Sequence, residues 1–287
     1  MDKATSGQRT LRRMLVSALS IALLVYVGLG ALLFLFQTRL IFIGGGSMWR
    51  DPSAFGWKYD EVMLDVEGEK TCAWFLHADA PKGVIIVSHG NGGAIADWLE
   101  FAIDLRPLGY DILLYDYGGY GRSTGRSSER RAYGDIRAVW RYLTEERGIA
   151  PSTIALYGRS LGGGPTCQLA TETPPGAVIL DSAFTSIPDM AQPLIPIYPM
   201  RLLWRNRMDN AAKIARIASP MLILHSPTDE VVPYANGERL YALASEPKVF
   251  LALKGGHNDP VFLRGEDYLP TLERFLAEHL TAAPAKR

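Results

Sequence analysis

The sequence predicts an α/β fold with a mostly parallel, eight-stranded sheet, helices on both faces of the sheet and one transmembrane helix at the N-terminus. Short apolar runs alternate with helix-length segments through most of the 287 residues, which is the pattern of a doubly wound sheet. A long uncharged run stands near the N-terminus. The composition, with 48% hydrophobic and 21% charged residues, is that of a globular protein with a large core.

The N-terminal apolar segment is predicted to be a membrane anchor at residues 14–38. No charged residue stands between Arg13 and Arg39, and a helix of this length, at about 1.5 Å per residue, exceeds the roughly 30 Å hydrocarbon core of a bilayer. A cleaved signal peptide is the first alternative, but its apolar region usually has only about 7–15 residues. A buried core helix is the second, but this segment is apolar on every side.

The charges that flank the anchor predict its orientation. More basic residues precede it than follow it, so the positive-inside rule places residues 1–13 in the cytoplasm and the larger domain outside. The preceding ones are Lys3, Arg9, Arg12 and Arg13, and those that follow closely are Arg39 and Arg50. With 30 Lys+Arg against 30 Asp+Glu and no basic run after the anchor, the sequence gives no support for nucleic acid as a partner.

Residues 39–59 are predicted to link the anchor to a domain at residues 60–280, which a tail at residues 281–287 follows. The linker begins with a glycine-rich stretch and continues with aromatic residues. Two settings fit these aromatics, the membrane interface and the surface of the first strands. They are Trp49, Phe55, Trp57 and Tyr59.

Eight strands and five helices are predicted within the domain. The first two strands alternate in polarity, as in an antiparallel hairpin, and the other six are continuous apolar runs typical of buried parallel strands. The strands are predicted at 61–66, 71–78, 84–87, 112–115, 154–157, 177–180, 221–224 and 249–253. The helices are predicted at 95–106, 128–147, 161–171, 234–244 and 260–280.

A proline-rich insert at residues 182–210 interrupts this alternation. It is longer than an ordinary connection between a strand and a helix, and inserts over the carboxyl edge of a sheet often form lids or pocket walls. We expect its apolar residues to contact an acyl group of the substrate, although packing in the core is an equal alternative. The residues concerned are Phe184, Met190, Leu194 and Ile195.

The strongest chemical motif is G-x-S-x-G at residues 158–162. It follows a predicted strand and opens a predicted helix, which is the setting of a nucleophile elbow. Small residues must flank the serine because the turn is tight, and the N-terminus of the helix beneath it favours negative charge. The sequence therefore predicts Ser160 as a nucleophile.

A serine nucleophile needs a base and a carboxylate that orients the base. His257 follows the last strand in a Gly-Gly-His-Asn-Asp loop, which returns to the carboxyl edge of the sheet. Asp229 follows the preceding strand and gives the chain order Ser, Asp, His. Asp181 is the rival acid, and Glu230 is expected to point elsewhere.

Two backbone amides are predicted to form an oxyanion hole. Leu161 directly follows the nucleophile, and Asn91 lies in the loop His-Gly-Asn-Gly-Gly after the strand at 84–87. His89 in the same loop is expected to pack or orient the loop. Asp116 is expected to hold the glycine-rich loop that follows it.

These motifs, all in the family's order, resemble the alpha/beta-hydrolase superfamily over roughly residues 60–280. The branch they resemble most contains membrane-anchored or membrane-associated serine hydrolases, among them protein depalmitoylases and monoglyceride-lipase-like enzymes. The motifs are HGNGG at 89–93, DYGGYGRSTG at 116–125, GRSLGGG at 158–164, the Asp229 segment, and GGHN at 255–258.

The resemblance implies hydrolysis of an ester, thioester or amide through an acyl-enzyme, with the alpha/beta-hydrolase fold. Such chemistry needs no metal and no organic cofactor, and its partner is a small or lipid-like acyl substrate. We expect an ester or thioester hydrolase. A peptidase or amidase of the same fold and a non-catalytic binding protein are the alternatives. The two cysteines, Cys72 and Cys167, have no metal-binding spacing and are expected to be separate buried thiols.

Overall fold

The protein is described here by a computed structural model, which covers the chain from Asp2 to Leu280. Its single sheet has the strand order β1-β2-β4-β3-β5-β6-β7-β8. β1 is antiparallel to β2 and β2 to β4, and the remaining pairs are parallel. The predicted sheet is confirmed. The strands are β1 (Tyr59–Val66), β2 (Glu69–Leu76), β3 (Val84–Ser88), β4 (Asp111–Tyr115), β5 (Ile154–Arg159), β6 (Ala177–Asp181), β7 (Met221–His225) and β8 (Lys248–Ala252).

Helices cover both faces of the sheet. Their bounds are α1 (Asp2–Ile41), α2 (Leu99–Leu105), α3 (Glu129–Arg141), α4 (Gly163–Ala170), α5 (Ile187–Ala191), α6 (Met200–Leu203), α7 (Ala211–Ile214), α8 (Ala235–Leu243) and α9 (Tyr268–His279). α2 and α9 pack on one face, and α3, α4 and α8 on the other. Successive residues of a strand point to opposite faces, so Leu156 of β5 joins one core and Tyr157 the other.

The last predicted helix begins later than expected. The sequence pattern predicts a helix from residue 260, whereas the structure has a short 3₁₀ turn at Val261–Leu263 and begins α9 at Tyr268. Gly265 between them has a φ of 105°, which a helix does not allow. The prediction was wrong for residues 264–267, because the spacing of apolar residues does not reveal the interruption of the helix at Gly265.

α1 continues past the predicted anchor and docks on the domain. Residues Gln8–Ile41 form a helix long and apolar enough to cross a membrane, with a mean hydropathy of 2.5 over its most apolar window. Most of its side chains are exposed, but Gly30, Gln37 and Ile41 are buried along one side. The helix therefore has one face against the domain and the others free.

The predicted linker is attached to the domain at its start. Ile41 and Phe42 belong to the core, and the amide of Gly45 donates to the carbonyl of Gly119. Of the aromatic residues, Trp57 is buried in the core and Trp49 is exposed. The predicted tail at residues 281–287 lies outside the described residues.

Candidate active site

The G-x-S-x-G motif forms a sharp turn between β5 and α4. Ser160 has a φ of 51°, a left-handed conformation that is uncommon for a residue with a side chain. A Cβ atom on Gly162 would lie 1.9 Å from the carbonyl oxygen of Ser88, and one on Gly158 would lie 2.7 Å from the carbonyl oxygen of Gly162. Both glycines are therefore required by close backbone packing, and the turn projects the serine from the end of the sheet.

The structure brings the three predicted catalytic residues together. Nε2 of His257 lies 3.0 Å from Oγ of Ser160, and Nδ1 lies 2.7 Å from Oδ2 of Asp229. The side chain of Asp229 is fully buried, and that of His257 nearly so. In this arrangement the carboxylate can orient the imidazole, and the imidazole can accept the proton of the serine hydroxyl.

The backbone of His257 is fixed as firmly as its ring. Its N–H donates to Oε2 of Glu230 at 3.0 Å, and its carbonyl accepts from Nη2 of Arg159 at 2.7 Å. The hydroxyls of Ser226 and Thr228 also bind the carbonyl of Gly255. The loop that carries the acid and the loop that carries the base are thus joined by several hydrogen bonds.

Asp229 is held ionised by its surroundings. Burial raises its pKa, but hydrogen bonds from His257 and from the amides of Val231 and Val232 together lower it below the ordinary value. Nε2 of His225 is 3.5 Å from the same carboxylate and 2.8 Å from the carbonyl of Val232. Asp229 therefore remains an acceptor for His257 well into the acidic range.

The rival acid, Asp181, belongs to a separate buried cluster. Its carboxylate pairs with the guanidinium of Arg264 and accepts from the hydroxyl of Tyr157 at 2.5 Å. Burial raises its pKa, while Arg264 and Arg159 lower it by more, so that the net pKa lies below the ordinary value. This cluster supports the end of β6 beneath the site.

Asp181→Asn is expected to destabilise the protein by about 3–5 kcal/mol, since it leaves a buried cation without its partner. A carboxylate with a lowered folded-state pKa stabilises the fold above its unfolded pKa of about 3.9, and this stabilisation is lost as the pH falls through the folded value. Urea unfolding of both proteins at pH 7 and below pH 4 measures the difference. Equal stability at pH 7 would contradict the assignment.

The predicted oxyanion loop lies beside the nucleophile. A Cβ atom on Gly90 would stand 3.6 Å from Cβ of Ser160, so the loop after β3 passes directly over the serine. Leu161 occupies the first turn after it. The side chain of Asn91 faces the other way, because Nδ2 donates to the carbonyl of Ile41 at 2.5 Å and Oδ1 accepts from the amide of Ile43 at 3.0 Å. The amides of Asn91 and Leu161 remain the predicted donors.

His89 and Asp116 hold this loop from beneath. His89 is fully buried against the rings of Trp98 and Tyr117, and Oδ1 of Asp116 accepts from the amide of Ile95 at 2.9 Å. The backbone carbonyl of Asp116 accepts from Ser123 in the glycine-rich loop. These contacts agree with a packing role for His89. For Asp116 they differ from the prediction, because its carboxylate binds the amide of Ile95 and its backbone carbonyl, not its side chain, binds the glycine-rich loop.

The structure gives the four predicted pocket residues different settings. Phe184 is buried in the core, and Met190 and Ile195 are partly buried against it. Leu194 is 81% exposed. Core packing therefore accounts for three of the four, and the contact of any of them with an acyl group stays a prediction.

A cleft beside the base loop has a volume of about 640 Å³ and carries several carboxylates. Its lining includes Trp98, Arg159 and the acidic residues Asp97, Glu100, Asp104 and Asp259. Three of the acids already have partners: Asp97 accepts from Trp49, Glu100 pairs with Arg50, and Asp259 accepts from the amide of Gly256. This arrangement does not favour the cleft as a receptor for a substrate amine.

Arg159 is a positioning residue that the sequence analysis missed. The residue is only 7% exposed, and its guanidinium stacks near the ring of Trp98 and reaches the carbonyl of His257. It occupies the unspecified second position of the motif, where the residue type carries no pattern. A signal would have been its charge, which is unusual two residues after a predicted buried strand and next to the nucleophile.

Arg159→Lys is expected to lower kcat by about tenfold to a hundredfold with little change in KM, since a displacement of the base by about 1 Å has effects of this size. The lysine keeps the charge but loses the planar fork. Steady-state kinetics on a soluble ester, with unfolding curves for both proteins, test this. An unaltered kcat in a folded variant would show that Arg159 only fills space.

Comparison with known proteins finds relatives among hydrolases. A family model described as "Serine aminopeptidase, S33" matches residues 79–213. An uncharacterized protein of Mycobacterium tuberculosis is 34% identical over 90% of this chain and 94% of its own. Human alpha/beta hydrolase domain-containing protein 17B is 36% identical over 75% of this chain and 73% of its own.

The chain belongs to the alpha/beta-hydrolase superfamily. Among solved structures, the esterase Pf2001 of Pyrococcus furiosus has a TM-score of 0.68 at 16% identity, covering 81% of this chain and 96% of that one. An alpha-beta hydrolase from Vibrio vulnificus has a TM-score of 0.67 at 22% identity, covering 77% and 82%. These likenesses confirm the predicted fold.

Proposed function

We propose that the protein is a membrane-anchored serine hydrolase that cleaves an acyl ester or thioester through an acyl-enzyme intermediate. The observation that carries the proposal is the contact of His257 with both Ser160 and Asp229, at 3.0 and 2.7 Å. A serine hydroxyl is a poor nucleophile, and a base at this distance activates it.

In the first step, Oγ of Ser160 attacks the acyl carbonyl carbon while Nε2 of His257 takes the hydroxyl proton. The amides of Asn91 and Leu161 stabilise the negative oxygen of the tetrahedral intermediate. The intermediate collapses, the bond to the leaving group breaks, and His257 gives its proton to the departing alcohol or thiol. The product is an ester of Ser160 with the acyl group.

In the second step, His257 takes a proton from water, and the resulting hydroxide equivalent attacks the acyl-serine. Collapse releases the carboxylic acid, and the proton returns to Oγ of Ser160. Asp229 remains ionised throughout and stabilises the imidazolium that forms twice in each cycle. All of these steps use the chain's own residues and water.

Burst kinetics with 4-nitrophenyl butyrate test the proposal on the full-length protein in detergent. We expect a burst of 4-nitrophenol equal to the enzyme concentration and a butyryl adduct on the peptide that contains Ser160, observed by mass spectrometry. A folded protein that gives neither burst nor adduct with this ester or with a long-chain thioester would contradict the proposal and favour a non-catalytic binding role.

The amidase alternative is weaker because three of the four carboxylates in the cleft beside the site are engaged by protein groups. An aminopeptidase needs an anionic group that is free to bind the substrate's ammonium, whereas Asp97, Glu100 and Asp259 already bind protein groups. Hydrolysis of amino-acid anilides faster than of esters would reverse this order.

The anchor and the membrane orientation are part of the same proposal. The apolar length of α1 supports a single span, and the excess of basic residues before it supports a cytoplasmic N-terminus and an extracytoplasmic catalytic domain.

A further inference from the structure

The insert at residues 182–210 contacts α1 far from the point where α1 enters the domain. The rings of Tyr26 and Tyr198 are stacked with their centroids 4.5 Å apart. A Cβ atom on Gly30 would lie 3.0 Å from the Tyr198 ring, so this glycine permits the close approach. The insert therefore runs alongside the apolar helix.

The position of Tyr26 places this contact within the apolar segment. Tyr26 stands midway between Arg13 and Arg39, the charges that bound the run. At about 1.5 Å per residue it is roughly 20 Å along the helix from either arginine. If α1 spans a bilayer, the part of the insert that touches Tyr26 must also enter the hydrocarbon.

The polar groups at this contact are satisfied in the way that a lipid environment requires. The hydroxyl of Tyr198 donates to the carbonyl of Tyr26 at 2.6 Å, and the hydroxyl of Tyr26 donates to the carbonyl of Ile197 at 3.0 Å. Unsatisfied polar groups are costly in hydrocarbon. The reciprocal pair leaves neither hydroxyl in need of water.

The outer surface of the same segment is apolar and uncovered. Leu194, Ile197 and Leu202 are 81%, 65% and 84% exposed, and they lie within nine residues of one another in the chain. A groove of about 440 Å³ between α1 and the insert is lined by nine apolar or aromatic residues, among them Phe34, Tyr198 and Leu202. Such surface is unfavourable in water and favourable in lipid.

A basic residue of the insert contacts α1 closer to the domain than the tyrosine pair does. Nη2 of Arg205 donates to the carbonyl of Phe34 at 3.2 Å, and its guanidinium stands over the Phe34 ring. Arg201 and Arg207 are also exposed. Phe34 is about 12 Å along the helix from Tyr26. Arginines at this level match the headgroup region, while Ile197, whose carbonyl accepts from Tyr26 deeper along α1, matches the acyl region.

The end of α1 meets the predicted oxyanion loop. The side chain of Asn91 binds the carbonyl of Ile41 and the amide of Ile43, and Tyr120 donates to its Oδ1 at 2.8 Å. Gly93 of the same loop packs closely against Gly46, which follows α1, because a Cβ atom on Gly46 would lie 2.5 Å from the carbonyl carbon of Gly93. The chain that leaves the membrane is therefore attached to the loop over Ser160.

We propose that the apolar side chains of the segment from Leu194 to Leu202 are embedded in the bilayer leaflet beside α1, while Arg201 stays paired with Asp189 at the headgroup level, so that the carboxyl edge of the sheet faces the membrane and Ser160 receives acyl substrates that reside there. This proposal rests on the membrane-anchored hydrolase proposed above. It adds a second membrane contact, which fixes the orientation of the domain, and it names the substrate class: an ester or thioester whose acyl chain is in the bilayer.

Site-directed fluorescence quenching tests the embedding on the full-length protein in phosphatidylcholine vesicles. A polarity-sensitive thiol-reactive dye is attached to Ile197→Cys or Leu202→Cys. The native Cys72 and Cys167 give little background because both are buried and burial raises the pKa of each thiol to about 12. Val249→Cys is the matched control, an exposed apolar residue in the edge strand β8, outside the insert.

We expect nitroxide on the lipid acyl chains to quench the dye at 197 and 202 at least several-fold more than at 249, and aqueous iodide to give the reverse order. A Leu24→Cys label reports on α1 itself, since Leu24 is exposed beside Tyr26. Lipid quenching at 24 but not at 202 would overturn the embedding and leave the anchor intact. Quenching at neither position would overturn both.

Substrate access is tested with Leu202→Glu, with Val249→Glu as its control. A carboxylate in the acyl region is unfavourable, and we expect it to slow hydrolysis of a long-chain ester in vesicles by about tenfold while hydrolysis of soluble 4-nitrophenyl butyrate is unchanged. Equal rates for Leu202→Glu and wild type on the vesicle substrate would overturn the access route. A wild-type protein that hydrolyses neither the vesicle ester nor 4-nitrophenyl butyrate would instead contradict the hydrolase proposal.

Discussion

Ser160→Ala is expected to lower kcat by about a million-fold, because it removes the atom that attacks the substrate and leaves only background hydrolysis in the site. KM should change little, since the methyl group of alanine fits where the serine Cβ is. The left-handed φ of 51° at this position is uncommon for alanine as well as for serine, so the fold is subject to the same strain in both proteins. Steady-state hydrolysis of 4-nitrophenyl butyrate measures the effect.

Ser186→Ala is the matched control for this substitution. Ser186 is a buried serine that caps α5 by accepting from the amide of Asp189, and its loss is expected to reduce stability by about 1 kcal/mol without reducing kcat. Residual activity of Ser160→Ala within tenfold of wild type would mean that another residue is the nucleophile.

Asp229→Asn is expected to lower kcat by about ten-thousand-fold with the geometry of the site preserved. An asparagine amide at this position can donate to Nδ1 of His257, which leaves the ring proton on Nε2. A protonated Nε2 faces Ser160 and cannot accept the serine proton. Asp229 has a pKa below the ordinary value, so in wild type the carboxylate is ionised at neutral and mildly acidic pH. Protonation of Asp229 therefore does not cause any activity loss above pH 5.

Glu230→Gln separates this electronic role from loop positioning. Glu230 is adjacent in the chain but accepts from the backbone N–H of His257, at 3.0 Å, a bond that a glutamine oxygen can also accept. We expect a loss of less than about tenfold, since one charge-assisted hydrogen bond is replaced by a neutral one. If Glu230→Gln lost as much activity as Asp229→Asn, Glu230 would share the role of the acid.

The sheet and the three catalytic candidates could be predicted from the sequence because each depends on a local pattern. Continuous apolar runs identify buried parallel strands, and the carboxyl ends of such strands share one edge of the sheet. Ser160, Asp229 and His257 each follow a strand, so the fold brings them together over 97 residues of chain between the first and last. Gly158 and Gly162 mark the turn for the same local reason.

The contacts that hold the site could not be predicted because they join distant segments without a recurring pattern. Arg159 reaches the His257 loop across 98 positions, and Tyr198 reaches Tyr26 across 172. The role of Asn91 was predicted only for its backbone, whereas its side chain binds the end of α1. Residues 182–210 were identified as an insert, but their alignment with α1 depends on tertiary packing.

Labelling by a fluorophosphonate probe tests the central claim, an activated Ser160, most directly, because such probes react with serines that a neighbouring base activates. The full-length protein in detergent is compared with Ser160→Ala and with Asp229→Asn. We expect rapid labelling of wild type at Ser160, slow labelling of Asp229→Asn and none of Ser160→Ala. A folded wild-type protein that stays unlabelled, or a Ser160→Ala protein that labels as fast as wild type, would contradict the claim.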